Sequence, residues 1–278
     1  MADGTVSFQF HQYDGEWGEV DAEVIAEGFV TIFVNGGELA TLMCTPRDPL
    51  QLALGFLANE GFIETYAEIE IAHVCGAGGC VDVWLSHSLS DRPRRKIITS
   101  GCGGGLTFAE LAAFQPPVRS DLTITPERLA SLIAKLQDQD SLYARARGVH
   151  TSALSDGERL LVLAEDIGRH NTLDRLRGEC LRTGLDSNGL ILLATGRISS
   201  EMIQKAVRMG CPIVASRTSP TSLSVGLARQ WNITLCGYVR RNHMNVYSHP
   251  ERLASGSTGL EPAQFSLSIV QEAPCRES

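Results

Sequence analysis

Four apolar runs without alternation mark the second half of the chain: Leu160-Leu161-Val162-Leu163-Ala164, Leu190-Ile191-Leu192-Leu193-Ala194, 212–215 and 233–239. Unbroken apolar runs of this length are the pattern of strands buried on both faces. Helical stretches separate them, over 171–181 and 201–209, with a third capped by Ser219 and opened by Pro220. Strand and helix in alternation predict a mainly parallel sheet covered by helical layers. Segments 150–154 and 244–247 extend that sheet. A helix precedes it: Thr125 caps, Pro126 follows, and Leu129, Leu132, Ile133 and Leu136 recur at i, i+3, i+4 and i+7.

The first half reads differently. Two β runs within 24–44 flank Asn35-Gly36-Gly37, a hairpin signal. A helix is predicted over 49–63, with Leu52, Phe56 and Leu57 inward. Short β runs at 68–74 and 81–85 are joined by Cys75-Gly76-Ala77-Gly78-Gly79-Cys80. A brief strand at 96–99 leads into a glycine-rich loop, and a short helix at 108–114 ends at Pro116-Pro117. Residues 1–21 are polar with scattered aromatics and predict no element. The fold class is α/β: a smaller α+β domain over 1–118, an α/β domain over 119–253, and a loose Gly/Ser/Pro-rich tail over 254–278.

Composition narrows the function. No apolar run among the 278 residues approaches the ~18–20 of a spanning helix. No basic-then-apolar leader opens the chain. The eight cysteines are scattered and do not suggest a disulfide framework. These features predict a cytoplasmic protein with reduced thiols. The net charge of −8 argues against nucleic-acid or anionic-membrane partners. On so acidic a chain, a local cluster of arginines stands out.

Such a cluster lies where the runs end. Ligands of open α/β sheets bind beyond the carboxyl ends of the strands. There the sequence places Glu165-Asp166-Ile167-Gly168-Arg169-His170-Asn171, Thr195-Gly196-Arg197, Ser216-Arg217-Thr218-Ser219 and Arg240-Arg241-Asn242-His243. Every end supplies an arginine, and two turns lead into helix N-termini, which favour anions. The combination predicts a phosphorylated ligand held by forked arginine contacts, with Asp166 accepting from a base or sugar edge.

The second candidate is Gly101-Cys102-Gly103-Gly104-Gly105, one thiol among four glycines. Thr107 and Glu110 form a capping box behind it, with Leu106 and Leu111 spaced as a staple. Bare glycine amides favour a thiolate. Other readings are weaker. Cys75 and Cys80, with Cys102 or His73, have loose zinc-ligand spacing and lack a second close pair. His249-Pro250-Glu251 matches half of a zinc-deaminase signature, without the Pro-Cys-x-x-Cys half. His150 and His170 read as hydrogen-bonded structural residues before general bases. The glycine loop lacks the lysine of a phosphate-binding P-loop.

The strand-end motifs, with Ser219-Pro220-Thr221-Ser222-Leu223, Met244-Asn245-Val246-Tyr247, Asn59-Glu60-Gly61-Phe62-Ile63 and Gly148-Val149-His150, resemble the formate dehydrogenase accessory sulfurtransferase family over about 20–253. The resemblance implies a cytidine deaminase-like three-layer α/β/α C-terminal domain without the deaminase zinc ligands, and no metal of its own. It implies a sulfur carrier. A cysteine desulfurase supplies persulfide sulfur, which passes to the molybdenum bis(molybdopterin guanine dinucleotide) cofactor destined for formate dehydrogenase. Cys102 maps onto the sulfur-bearing cysteine, and Tyr238-Val239-Arg240-Arg241-Asn242-His243 onto the cofactor-binding segment. The guanine-nucleotide cofactor suits the arginine rim. The family loop often carries Cys-x-x-Cys; here the second position is Gly105. A non-catalytic cofactor chaperone is the alternative, and a still-active deaminase relative a weaker one. A homodimer is expected, as the commonest oligomer.

Overall fold

The computed structural model describes residues 4–76, 78–89, 97–98, 116–136 and 141–254. Cys102, Gly105, the helix expected at 108–114 and almost all of the tail lie outside the described residues.

The stretch expected to carry no element forms one. β1 (Thr5–Tyr13) and β2 (Trp17–Ile25) pair antiparallel as a separate two-stranded ribbon. Its alternation is visible in the sequence, but polar residues on one face and short spacers masked it. The expected hairpin follows as β3 (Gly28–Val34) and β4 (Gly37–Cys44), with Asn35 and Gly36 both at positive φ in the turn. With β5 (Ile69–Val74), β6 (Cys80–Leu85) and β7 (Ile97–Ile98) they form a five-stranded sheet in the order β5-β6-β3-β4-β7. α1 (Pro49–Glu60) covers one face, packing Leu52, Phe56 and Leu57 against Val30, Ile32, Val34, Val81 and Val83. A disulfide joins Cys75 to Cys80, with Cα atoms 5.3 Å apart. This corrects the expectation of reduced thiols and removes the pair from any zinc reading. The tight Gly-rich turn between two paired strand ends brings the two thiols together.

The second sheet has six strands in the order β13-β12-β11-β10-β8-β9. They are β8 (His150–Ser155), β9 (Leu160–Asp166), β10 (Ile191–Ala194), β11 (Ile213–Ser216), β12 (Thr234–Arg240) and β13 (His243–Ser248). Only the pairs β10–β11 and β11–β12 are parallel; β8 pairs antiparallel with both β9 and β10, and β13 pairs antiparallel with β12. The expected mainly parallel sheet is therefore a mixed one. The reason lies in β8 and β13, which connect by hairpins and need no helical crossover.

The central runs are buried on both faces, as their lack of alternation implies. Leu192, Ala194, Val214 and Leu235 face α4 (Arg169–Thr183), α5 (Ser200–Arg208) and α6 (Ser222–Gln230). Ile191, Leu193, Ile213, Ala215 and Cys236 face Leu129, Leu132 and Ile133 of α2 (Pro126–Ala134). The run at Leu160 breaks the rule. β9 is an edge strand, and Leu163 is exposed on it. An unbroken apolar run does not say whether a strand is central. A second correction concerns α6. Its N-cap is Thr221, not Ser219; Pro220 instead bridges Ile198.

The two sheets are joined through α1 and α4. A Cβ on Gly55 would lie 1.6 Å from the Asp174 carbonyl oxygen, and one on Gly178 would lie 1.9 Å from that of Gln51. Only paired glycines allow so close a helix crossing. Beside it Lys205 meets Asp174 at 2.6 Å and Glu60 at 3.4 Å, and Asn59 donates to Asp174. A short helix, α3 (Leu142–Ala146), meets the base of the ribbon through Arg145 and Glu23, 2.6 Å apart.

Candidate functional site

β8 runs antiparallel to both β9 and β10, so β9 and β10 point the same way as β11 and β12. Four carboxyl ends therefore share one edge of the sheet. The amino ends of β8 and β13, His150 and His243, lie on that edge too. From β9 to β12 the edge covers four strand spacings, about 19 Å.

At the β10 end, Gly196 makes the close packing possible. A Cβ there would meet His150 Nδ1 at 3.0 Å and Arg169 Cβ at 3.1 Å. Arg169 therefore folds back from β9 toward β10, beside Arg197. Burial works against the charge on Arg169, and the Arg197 guanidinium adds to that; Glu201 opposes both. His150 feels the same surroundings: burial lowers its pKa first, then Arg169 and Arg197. Two guanidiniums and a neutral imidazole so placed favour a bound anion. His170 is held by Ser199 at 2.9 Å and Glu201 at 3.1 Å, and burial pulls its pKa down to about 3. That geometry is structural, as its sequence context suggests.

Hydroxyls tie the next strand ends together. Ser216 Oγ donates to the Gly196 carbonyl at 2.6 Å, and Thr218 Oγ1 to that of Thr195. Arg240 Nη1 donates to the Arg217 carbonyl at 2.6 Å, so its side chain lies across the ends of β11 and β12. The Ser219 carbonyl accepts from the Ile198 amide at 3.1 Å. A register shift between Gly237 and Arg240 puts Tyr238 at φ 53 and exposes its ring. Bulges of this kind re-aim a side chain at a site. Arg240, Arg241, Asn242 and His243 follow, all exposed.

Two predicted site residues stand elsewhere. Val239 is fully buried in the core against α2, so its side chain cannot face a ligand. Asp166 is fully buried as well. It accepts from Arg175 Nε at 2.9 Å, from the Gly168 amide and Asn171 Nδ2 at 2.8 Å, and from the Thr45 amide at 3.3 Å. Its acceptor sites face protein donors, which corrects its assignment to a base or sugar edge. Asp166, Asn171 and Arg175 form a latch: Arg175 donates to the Thr45 carbonyl at 2.7 Å and Asn171 to that of Met43 at 2.8 Å. The 165–171 motif thus serves two purposes. Asp166 and Asn171 grip the β4–α1 connection, while Arg169 turns to the rim. Sequence reasoning missed Arg175 and Lys205. Each is a cation on the apolar stripe of its helix, between leucines or beside Met202, Ile203 and Ala206; that interruption is the available signal.

The described thiols are unreactive by placement. Cys44, Cys180, Cys211 and Cys236 are all free and buried. Burial pushes Cys44 and Cys236 up to about 12, Cys180 to about 11, and Cys211 up as well.

Residues 25–254 match the model of the FdhD/NarQ family. A sulfur carrier protein FdhD from Bacillus subtilis (strain 168) is 38% identical over 248 residues, covering 86% of this chain and 93% of the relative. One from Staphylococcus aureus (strain MRSA252) is 37% identical over 245 residues, covering 86% and 92%. A crystal structure from Desulfotalea psychrophila, provisionally described as a formate dehydrogenase accessory protein, superposes with a TM-score of 0.74 at 29% identity. It covers 90% of this chain and 99% of its own.

Proposed function

The chain belongs to the FdhD/NarQ family, and from that premise we propose that it is a sulfur carrier in formate dehydrogenase maturation. In this reading it takes persulfide sulfur from a cysteine desulfurase on Cys102 and presents it to the molybdenum bis(molybdopterin guanine dinucleotide) cofactor, its cargo. The C-terminal domain would be the cytidine deaminase-like layer fold, its strand ends holding the cargo. The exclusion of the other thiols carries the sulfur reading. Four of the eight cysteines are buried and poorly ionised, and two are paired with each other. Of the remaining two, Cys102 lies within the family match and Cys275 beyond it.

The step is a thiol exchange. The Cys102 thiolate attacks the terminal sulfur of the donor persulfide; the donor S–S bond breaks, its thiolate leaves, and Cys102–S–SH forms. The rim supplies the holding function: Arg169, Arg197, Arg217 and Arg240 suit a ligand with several phosphates, and Tyr238 offers an exposed ring to a base. Incubation with a desulfurase and cysteine, read by intact mass, tests the reading. A chain that gains no sulfur overturns it in favour of a non-catalytic cofactor chaperone.

The rim has its own test. Guanosine diphosphate is expected to bind with micromolar affinity, about −8 kcal/mol. Arg197→Ala and Arg240→Ala each lose roughly 1.5–3 kcal/mol of that by calorimetry. Absence of binding, or two variants that bind like the wild type, removes the rim from the cargo site.

A further inference from the structure

β9 closes the six-stranded sheet on one side, and among the described residues no strand pairs with its outer edge. Which of its backbone groups point outward follows from β8. The Thr151 carbonyl accepts from the Thr195 amide, and the Thr151 amide donates to Thr195 Oγ1, both at 2.9 Å. Thr151 therefore turns its backbone toward β10, and it stands in register with Glu165. By strand alternation Val162 and Ala164 then bond β8, while Leu163 and Glu165 aim N–H and C=O away from the sheet. Edge groups of this kind are a template for one more strand.

The edge lies in a groove of about 790 Å³. Leu161 and Leu163 form its apolar side, on the α2 face of the sheet, where Ala153 is the cross-strand partner of Leu163. Gln51 and Glu179, hydrogen-bonded at 3.1 Å, and Thr183 form a polar wall on α1 and α4. A segment extended along β9 therefore needs apolar side chains on one face and small polar ones on the other.

The chain carries such a segment. Phe265-Ser266-Leu267-Ser268-Ile269 alternates strictly between Pro262 and Pro274. It lies beyond the family match, so the family reading does not account for it. The last described residue stands on the same side of the molecule as the start of β9. The Ala254 amide donates to the Ile124 carbonyl at 3.0 Å, just before α2. In the first turn of α2, Arg128 Nε donates to the Gly157 carbonyl at 3.0 Å, in the turn between β8 and β9. Leu253 and Leu160 pack into one apolar cluster. From Ala254, residues 255–264 reach up to about 33 Å. That exceeds the length of β9 itself, seven residues or about 23 Å.

We propose that residues 265–269 add to the outer edge of β9 as a seventh strand of the sheet. Phe265, Leu267 and Ile269 lie over Leu161 and Leu163, and Ser266 and Ser268 face the Gln51 and Thr183 wall. The added strand pairs the Leu163 and Glu165 backbone and removes the open edge.

Residue-resolved amide hydrogen exchange on the full chain tests the arrangement. In the wild type the Leu163 and Glu165 amides exchange within about tenfold of those of Val162 and Ala164. Leu267→Asp/Ile269→Asp speeds the outward pair about a hundredfold and leaves the inward pair at the wild-type rate. Leu267→Val/Ile269→Val, which keeps the alternation, retains the slow exchange. Outward amides that are already fast in the wild type overturn the proposal, because the edge is then open. Outward amides that stay slow in the aspartate variant overturn it too and give the edge to a different segment or a second copy. Inward amides that accelerate together with the outward ones also overturn it, since the substitutions then act on the whole sheet.

Discussion

Arg175→Met is expected to cost about 3–5 kcal/mol of stability, the range for removing one partner of a buried ion pair. Arg175 is 3% exposed and Asp166 is fully buried, 2.8 Å apart at their closest. Methionine fills comparable volume but leaves Asp166 charged without its cation. It also strips donors from the carbonyls of Thr45 and Arg47. For a chain of this length the loss should lower the melting temperature by roughly 6–20 °C. Adding Asp166→Asn to Arg175→Met should recover part of it, because the stranded charge goes with the substitution. A single variant that melts within about 2 °C of the wild type would show that the latch contributes little.

The variant should also respond to pH with a definite sign. Burial raises the Asp166 pKa, and Arg175 is the largest influence opposing that rise. Without Arg175 the folded-state pKa moves further up, above the unfolded value of about 3.9. The folded state then binds more protons than the unfolded state between the two values, so stability falls as pH rises through that window. The deficit of Arg175→Met should be largest at neutral pH and shrink on acidification toward the unfolded pKa. A deficit that grows on mild acidification, relative to wild type, contradicts a stranded carboxylate.

The same two residues show what the sequence could and could not disclose. Residues 190–194 and 212–215 were legible because burial on both faces leaves no polar position, and each became a central strand. Thr125-Pro126 marked the start of α2 because capping is local chemistry; Thr125 Oγ1 accepts from the Arg128 amide. Ser219-Pro220 has the same local look, yet tertiary pairing with Ile198 takes it and moves the cap to Thr221. Strand order is not local at all, so Leu160–Ala164 reads like a central strand and sits on an edge. The rim followed from a general rule about strand ends, which fixed an edge of the sheet but not the direction of each side chain. Asp166 lies in the right segment and points inward, toward a partner nine positions on that periodicity alone assigns to the core. The ribbon was illegible for a different reason: its apolar face stays exposed among the described residues, so no core pattern accompanied its alternation.

Sulfur loading is expected to fall to background in Cys102→Ser and to remain at the wild-type level in Cys75→Ser/Cys80→Ser. A relay through the hairpin would need a second thiol within disulfide reach of Cys102, Cα to Cα below ~7 Å. Distance alone does not forbid it. Ile97 pairs with Thr41, Thr41 with Thr31, and Thr31 with Cys80, so Ile97 and Cys80 stand in one row across the sheet. Three strand spacings separate them, about 14 Å. Five residues from Ile97 to Cys102 span at most about 17 Å. Chemistry decides instead. Cys75 and Cys80 are bonded to each other and closed by a 2.9 Å hydrogen bond from the Cys75 amide to the Cys80 carbonyl, so neither is a free nucleophile. Gly105 stands where the family resemblance implies a second loop thiol, and the buried thiols are held too far from ionisation to attack. In this reading a persulfide on Cys102 meets no free thiolate among the described cysteines and survives until cargo arrives. The measurement is peptide mass spectrometry after loading, with the sulfur located on each cysteine in wild type and both variants. If the folded double variant stops loading or delivering sulfur, the hairpin is part of the path, and the single-thiol mechanism gives way to a relay.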